Sequence, residues 1–154
     1  MENIIKTYIN WDKYDKLCVT LIESVKSVQG ITDIIAIPRG GYIPAQCIAH
    51  ALGISRVYSM GISFYDAITP GVRRKEPIFY QDIIRNFSGS KALIVDDIVD
   101  SGDTLNVVKN RITQLGGKEI LVATLVLKSG NPVPDFWSMQ VPREEWVVFP
   151  YEQE

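Results

Sequence analysis

Residues 91–105 read KALIVDDIVDSGDTL, and the rest of the chain is arranged around them. Ala92-Leu93-Ile94-Val95 is a short apolar run rich in β-branched residues, preceded by Ser88-Gly89. Such a run, bounded by a turn signal, predicts a strand buried on both faces. Asp96 and Asp97 end it, and Asp100-Ser101-Gly102-Asp103-Thr104 follows. Leu105, Val108, Ile112 and Leu115 then recur at helical spacing. Strand, acidic tip, small-residue turn and helix form the place where an open α/β sheet takes its ligands, outside the carboxyl ends of its strands.

The residue types in that turn define a chemistry. Ser101, Gly102 and Thr104 offer hydroxyls and accessible backbone N–H groups at the start of a helix, whose unpaired donors and dipole favour an anion. Gly102 permits close backbone approach. A phosphate monoester suits this turn, yet Asp96, Asp97, Asp100 and Asp103 bring four negative charges to the same place. Anion cradle and carboxylates coexist when a divalent cation or sugar hydroxyls stand between them. The stretch therefore implies a phosphorylated sugar with Mg²⁺. Any one of these acids alone reads as a solvated tip; the string as a whole does not.

LIVDDIVDSGDTL resembles the phosphoribosyl-diphosphate (PRPP) signature of the type I phosphoribosyltransferases: an apolar strand, two acids, two apolar residues, then Asp-Ser/Thr-Gly-x-Thr. A Walker loop would need Gly-Lys-Ser/Thr, which the chain lacks. The resemblance implies a single-domain α/β fold over 1–154, with a mostly parallel central sheet flanked by helices. It places a core at about 1–127, a flexible loop at about 64–78 and a small C-terminal hood at about 128–154.

Composition bounds the alternatives. A chain of 154 residues, 46% hydrophobic and 22% charged, has the size and content of one globular domain. A net charge of −2 lacks the basic footprint of a protein whose main work is binding nucleic acid. No apolar run approaches the ~20 residues of a membrane span. The opening MENIIKTYIN lacks the apolar core of a signal peptide. Cys18 and Cys47 sit among apolar neighbours in helical patterns and read as small buried hydrophobes of a reducing, cytoplasmic compartment. His50 has no partner at ligand spacing and reads as a surface or helix-end residue. Internal repeats and low-complexity linkers are absent from the sequence.

Upstream, Asn10 is a candidate N-cap and Asp12 suits a first helical turn. Trp11, Tyr14, Leu17, Cys18, Leu21, Ile22, Val25 and Val28 recur at helical spacing up to Gly30, with Trp11 and Tyr14 expected in the core. Thr32–Ile37 predicts a central strand that stops at Pro38-Arg39-Gly40-Gly41. A helix follows from about Tyr42 to Leu52, ended by Gly53. Alone, a βα turn containing Arg and Gly is structural more often than not. Beside the acidic stretch it gains force, because PRPP carries a phosphate at one end and a pyrophosphate at the other and needs two cradles. Arg39 is the strong anion binder there. IPRGGYIPA resembles the pyrophosphate loop of the family, which often carries a non-proline cis peptide entering the Arg39 position.

Ser55–Ile62 predicts one further strand. Residues 63–77 then lose any clean period and carry Pro70-Gly71 and Arg73-Arg74-Lys75. Loops longer than about a dozen residues are usually functional or disordered. The segment resembles the family's catalytic loop, with Ser63, Tyr65, Arg73 and Arg74 as its candidates, although Phe64 interrupts the Ser-Tyr pair. The other reading is a solvated hairpin with charged tips. Ile78–Ile84 fits a returning strand or a helical turn. Gly116-Gly117 closes the later helix, and Glu119–Leu127 predicts another buried strand. Strands alternating with helices imply right-handed crossovers and a mostly parallel sheet.

The tail bears on the acceptor. Lys128 stands at the carboxyl end of the last buried strand, and Trp146 precedes β-branched residues and Pro150. A π face can stack on a flat base and a Lys ammonium can donate to a carbonyl oxygen. Without context, Trp146 reads as core and Lys128 as solvated. LKSGNP, PDFW and EEWVVFPYE, with Trp11-Asp12, resemble the small bacterial xanthine–guanine and hypoxanthine phosphoribosyltransferases. That resemblance implies Lys128 on the purine 6-oxo group, Trp146 stacked on the ring, Val147 backbone on the purine edge and Glu152 near the 2-position. It implies Asp96 and Asp97 as ribose and Mg²⁺ ligands, and Asp100, Ser101, Gly102, Asp103 and Thr104 around the 5′-phosphate. Arg39, Gly40 and Gly41 would hold pyrophosphate, and Asp100 would accept the purine proton. Asp103 departs from the Gly or Lys many members carry. PRPP, a purine base or nucleoside monophosphate, and a homodimer or homotetramer are the implied partners. Two alternatives stand: a same-fold enzyme for another base, and a non-catalytic regulator sensing PRPP or a nucleotide.

Overall fold

The computed structural model describes residues 3–66 and 68–153. In chain order the elements are β1 (Lys6–Tyr8), α1 (Trp11–Val25), β2 (Asp33–Ala36), α2 (Tyr42–Leu52), β3 (Val57–Ser59), β4 (Gly61–Tyr65), β5 (Arg73–Gln81), β6 (Lys91–Val99), α3 (Asp103–Gln114), β7 (Glu119–Lys128), β8 (Phe136–Val141) and β9 (Trp146–Val148), with a 3₁₀ turn at Pro150–Glu152. A five-stranded sheet runs in the order β3-β2-β6-β7-β8, every neighbouring pair parallel.

Alternating side chains divide the core between the two faces of this sheet, as the period of two demands. Ile34, Ala36, Leu93, Val95, Ala123 and Leu125 pack on one face under α1 and α2. Ile35, Ile37, Ala92, Ile94 and Val122 pack on the other under Leu105, Val108 and Ile112 of α3. The chain leaves β2 for β3 through α2, and leaves β6 for β7, on the opposite flank, through α3. Strand order thus reverses between β2 and β6, and a crevice opens at their carboxyl ends.

Local signals explain the helix ends. Asn10 caps α1 by accepting the Lys13 N–H at 2.9 Å. Gly53 ends α2 at φ +67°, a left-handed conformation that favours glycine. Trp11, expected in the core, is 55% exposed: it is the first residue of α1 and rests its ring edge-on against Tyr14 at the open end of the helix.

Three expectations are corrected. The single strand over 55–62 is two strands separated by the buried Met60: β3 joins the main sheet, whereas β4 belongs to a separate antiparallel pair with β5. The flexible loop at about 64–78 is instead largely this hairpin; within the stretch, Ala67 lies outside the described residues. Ile62, Ile78 and Phe79 are strand formers that pair across it. Thr69-Pro70-Gly71-Val72 closes a turn in which the Val72 N–H bonds the Thr69 carbonyl at 3.3 Å and Gly71 has φ +81°. Pro then positive-φ Gly is the type II turn signal. Finally, residues 128–154 do not form one separate hood. β8 is an edge strand of the main sheet, and β9 pairs in parallel with β1, far away in sequence.

Candidate active site

Two turns meet at the crevice. The ladder between β2 and β6 continues to the first turn, where the Ile37 N–H bonds the Val95 carbonyl at 2.9 Å. The Pro38–Arg39 peptide is cis. Gly41 then starts α2, its N–H on the Ile37 carbonyl at 2.9 Å. A Cβ at Gly41 would lie 2.5 Å from the Ile37 carbonyl oxygen and 2.8 Å from its nitrogen, so only glycine fits. A Cβ at Gly40 would collide with the Asp97 carboxylate. Arg39 is exposed, and no ion-pair partner of its guanidinium occurs among the described residues.

The second turn follows β6. Gly102, at φ +82°, precedes α3, and the Ser101 hydroxyl accepts the Asp103 N–H at 3.3 Å. Pro132 lies over Gly102, a Cβ there coming within 3.0 Å of the proline ring. Asp96, Asp100, Ser101, Gly102 and Thr104 line a small cavity of about 100 Å³ at the helix N-terminus. A larger cavity of about 580 Å³ joins Arg39, Gly40, Ile43 and Asp97 to Tyr151 and Glu152. The two cavities are lined by adjacent carboxylates, Asp96 in the smaller and Asp97 in the larger.

Those carboxylates differ. Burial disfavours the charged form of Asp96, the neighbouring Asp97 charge adds to this, and its pKa is pushed well above the usual carboxylate range. Asp96 also accepts the Asp97 N–H at 2.8 Å. Asp97 projects instead toward Gly40 and accepts a hydrogen bond from the Tyr151 hydroxyl. No group of three or more His, Cys, Asp or Glu side chains placed to hold a metal ion occurs among the described residues. That does not conflict with Mg²⁺, which is usually held by one or two carboxylates plus substrate phosphates and water. Asp97, a hard oxygen donor against the Arg39 turn with Asp96 beside it, is a donor set that fits this mode.

At the C-terminal side, Lys128 is 7% exposed, its Nζ 3.6 Å from Asp100 Oδ2 and 5.8 Å from the Trp146 ring centroid. Trp146 itself is 57% exposed, so its ring is available for stacking and is not core. Trp146 N–H bonds Ile5 and the Val148 carbonyl accepts from Ile9, both at 2.9 Å. By alternation along the ladder, the Val147 N–H and carbonyl face away from β1 while its side chain is buried. Glu152 is exposed, one oxygen accepting the Phe149 N–H at 2.9 Å. The structure thus brings Lys128, Asp100 and Trp146 together.

The hairpin candidates are largely engaged internally. The Ser63 hydroxyl bonds the Tyr65 backbone, Arg74 pairs with Asp66 at 3.4 Å, and Arg73 reaches across to Asp103 beside the second turn. Asp103 is held below the usual carboxylate range first by Arg73 and then by Ser101. Sequence reasoning missed three residues here. Lys6 and Tyr8 line a cavity with Trp146, Val148 and Glu152, and Tyr151 lies on Asp97. The strong run of aromatics from Trp146 to Tyr151 was the available signal for Tyr151; no local signal marks Lys6 or Tyr8.

The model of the phosphoribosyl transferase domain matches residues 10–153. The xanthine-guanine phosphoribosyltransferase of Desulfotalea psychrophila is 35% identical over 153 residues, covering 97% of this chain and 88% of that protein. The enzyme of the same name from Gluconobacter oxydans is 30% identical, over 94% and 83% of the two chains. Among solved structures, the purine phosphoribosyltransferase from Pyrococcus horikoshii superimposes with a TM-score of 0.85 at 33% identity, covering 97% of this chain and 95% of that one.

Proposed function

The chain belongs to the phosphoribosyl transferase domain family and is a phosphoribosyltransferase, and on that premise we propose that it transfers the 5-phosphoribosyl group of PRPP to N9 of a 6-oxopurine, releasing pyrophosphate in purine salvage. The observation that carries the acceptor is the buried Lys128 ammonium lying between Asp100 and the Trp146 ring. A cation donor suits a carbonyl at purine position 6 and not an amino group.

In this reading Ser101 to Thr104 hold the 5′-phosphate on backbone donors, and Arg39 to Gly41 hold the pyrophosphate. Asp96 and Asp97 orient the ribose hydroxyls. Mg²⁺, held by Asp97 and Asp96 with the substrate's own oxygens, would supply charge neutralisation for the leaving pyrophosphate. As the bond to pyrophosphate breaks, the sugar carbon gains positive charge, and the fixed carboxylates stabilise it without reorganisation. Trp146 stacks on the base, the outward-facing Val147 backbone meets its edge, and Glu152 lies toward position 2. Asp100, ion-paired with Lys128 in this structure, accepts the purine proton when N9 attacks. Arg73, tethered to Asp103, holds the hairpin beside the phosphate turn, where it limits water.

No helix among the described residues is long and apolar enough to cross a membrane. The cytoplasm is the proposed compartment, and a homodimer or homotetramer the proposed assembly. The deciding experiment is pyrophosphate release from PRPP and Mg²⁺ with guanine, xanthine, hypoxanthine, adenine, orotate and uracil in parallel. Release with the first three alone supports the proposal. Release with adenine or a pyrimidine, or none with any base, refutes it.

A further inference from the structure

Tyr151 has no place in the scheme above, yet it lies at its centre. It sits in the 3₁₀ turn after β9, beside Glu152, and lines the larger cavity with Arg39, Gly40 and Asp97. Its ring is held from three sides: stacked on Phe149 at 5.5 Å and 5°, edge-on to Tyr14 at 6.0 Å, and tilted against Trp11 at 6.4 Å. Its hydroxyl donates to Asp97 Oδ2 across 54 residues of sequence. The same carboxylate occupies the space that a side chain at Gly40 would need. Asp97 is therefore held by the phenol, and the missing side chain of Gly40 leaves it room against the Arg39 turn.

We propose that Tyr151 is a positioning residue that aims the Asp97 carboxylate at the pyrophosphate turn, tying the C-terminal turn of the base pocket to the end of the site that takes Mg²⁺ and PRPP. A carboxylate on a single-bond side chain is free to rotate, and a rotated Asp97 would present its oxygens away from the metal. A phenol locked by three aromatic neighbours loses little freedom in holding it, so the cost of ordering is already met in the free protein. The glycine at position 40 is required for the same reason: any larger residue would displace the carboxylate from the turn.

This inference rests on the proposed reading of the site and is tested separately from it. Tyr151→Phe keeps the ring and its packing and removes only the donor. Calorimetric titration of Mg²⁺ and PRPP into the protein, without base, is expected to show about tenfold weaker binding, the loss of one hydrogen bond to a charged group. The Mg²⁺ concentration for half-maximal turnover should rise in parallel, while the KM for the purine and the melting temperature stay within twofold and within about 2 °C of wild type. Tyr151→Leu, which removes ring and donor together, should bind PRPP no better than Tyr151→Phe. If Tyr151 acted by packing alone, Tyr151→Phe would bind as wild type does and only Tyr151→Leu would be impaired, and the inference would be overturned. Equal shifts in the PRPP and purine constants of Tyr151→Phe would also overturn it. A wild-type protein indifferent to Mg²⁺ and PRPP overturns the functional reading and this inference together.

Discussion

Replacing Lys128 by Met separates a functional from a structural role for the buried ammonium. Lys128 is 7% exposed, whereas its partner Asp100 has a side chain 68% exposed, 3.6 Å away. Removing the ammonium therefore leaves no uncompensated buried charge, because water reaches Asp100. A pair with one exposed partner is worth at most about 1 kcal/mol, and Met fills the space of the lysine stem. The melting temperature should move by no more than about 4 °C. Function is expected to respond differently. A lost hydrogen bond from a charged donor costs about 1.5–3 kcal/mol, which is about 10- to 150-fold in kcat/KM for the purine. Steady-state nucleotide formation, with purine varied at saturating PRPP, measures this, and thermal melts measure the other arm. Purine kcat/KM within threefold of wild type would refute the assignment of Lys128 to the base. A fall in activity that merely tracks a large loss of melting temperature would refute it equally.

Three further outcomes are expected. Asp100→Asn should lower kcat by about 10²- to 10⁴-fold while shifting the PRPP dissociation constant less than threefold; equal effects in kinetic and calorimetric assays would reject the base role. Gly41→Ala should destabilise by about 1–3 kcal/mol and abolish tight PRPP binding, since the backbone at φ −75° is allowed to any residue and the obstacle is steric: a Cβ would collide with the Val95 carbonyl oxygen and lie 2.5 Å from that of Ile37. An unchanged melting curve for Gly41→Ala would show that the turn is not closed as described. Asp33 is fully buried, and although burial pushes its pKa upward, hydrogen bonds from Thr32, Arg85, Ser90 and Arg56 hold it below the usual range. Its stabilisation is thus present above the unfolded carboxylate pKa of about 3.9 and lost as pH falls through the lower folded value. Acid melts should show Asp33→Asn less sensitive than wild type below pH about 4, and parallel curves would exclude Asp33 as a source of that sensitivity.

The parts of the fold that were legible in sequence are those written in local periodicity. The 42–52 helix, with Gly53 as its stop, and the β6–turn–α3 unit could be read because strand pattern, small-residue turn and helical spacing lie within a few residues of one another. The two turns at Arg39–Gly41 and Ser101–Thr104 share that advantage. The hairpin was obscured because its turn chemistry, Pro70-Gly71, stands among charged residues that break the alternation. Trp11 was misplaced because helical spacing identifies a face and not how far along the helix its cover extends. The pairing of β1 with β9 joins residues about 140 apart, and the bond of Tyr151 to Asp97 spans 54, so neither leaves a trace in any short window. Lys6 and Tyr8 reach the cavity beside Trp146, and Tyr151 the one beside Asp97, through such distant contacts, which register and packing decide.

The ladder between β2 and β6 runs up to Ile37 and Val95, just short of the Arg39 turn and of the Asp96–Asp97 pair, and makes the crevice a gauge. Adjacent strands stand about 4.8 Å apart whatever their side chains, so the spacing of the Arg39 turn from the Asp96–Asp97 pair is set by main-chain bonding. Exchanging core residues cannot widen or narrow it while the strands stay paired. In the proposed function, acceptor preference is written instead in Lys128, Trp146, Val147 and Glu152, on segments outside that pair. On that proposal, drift in sequence there would retune what receives the transferred group while leaving the spacing at the strand ends unaltered.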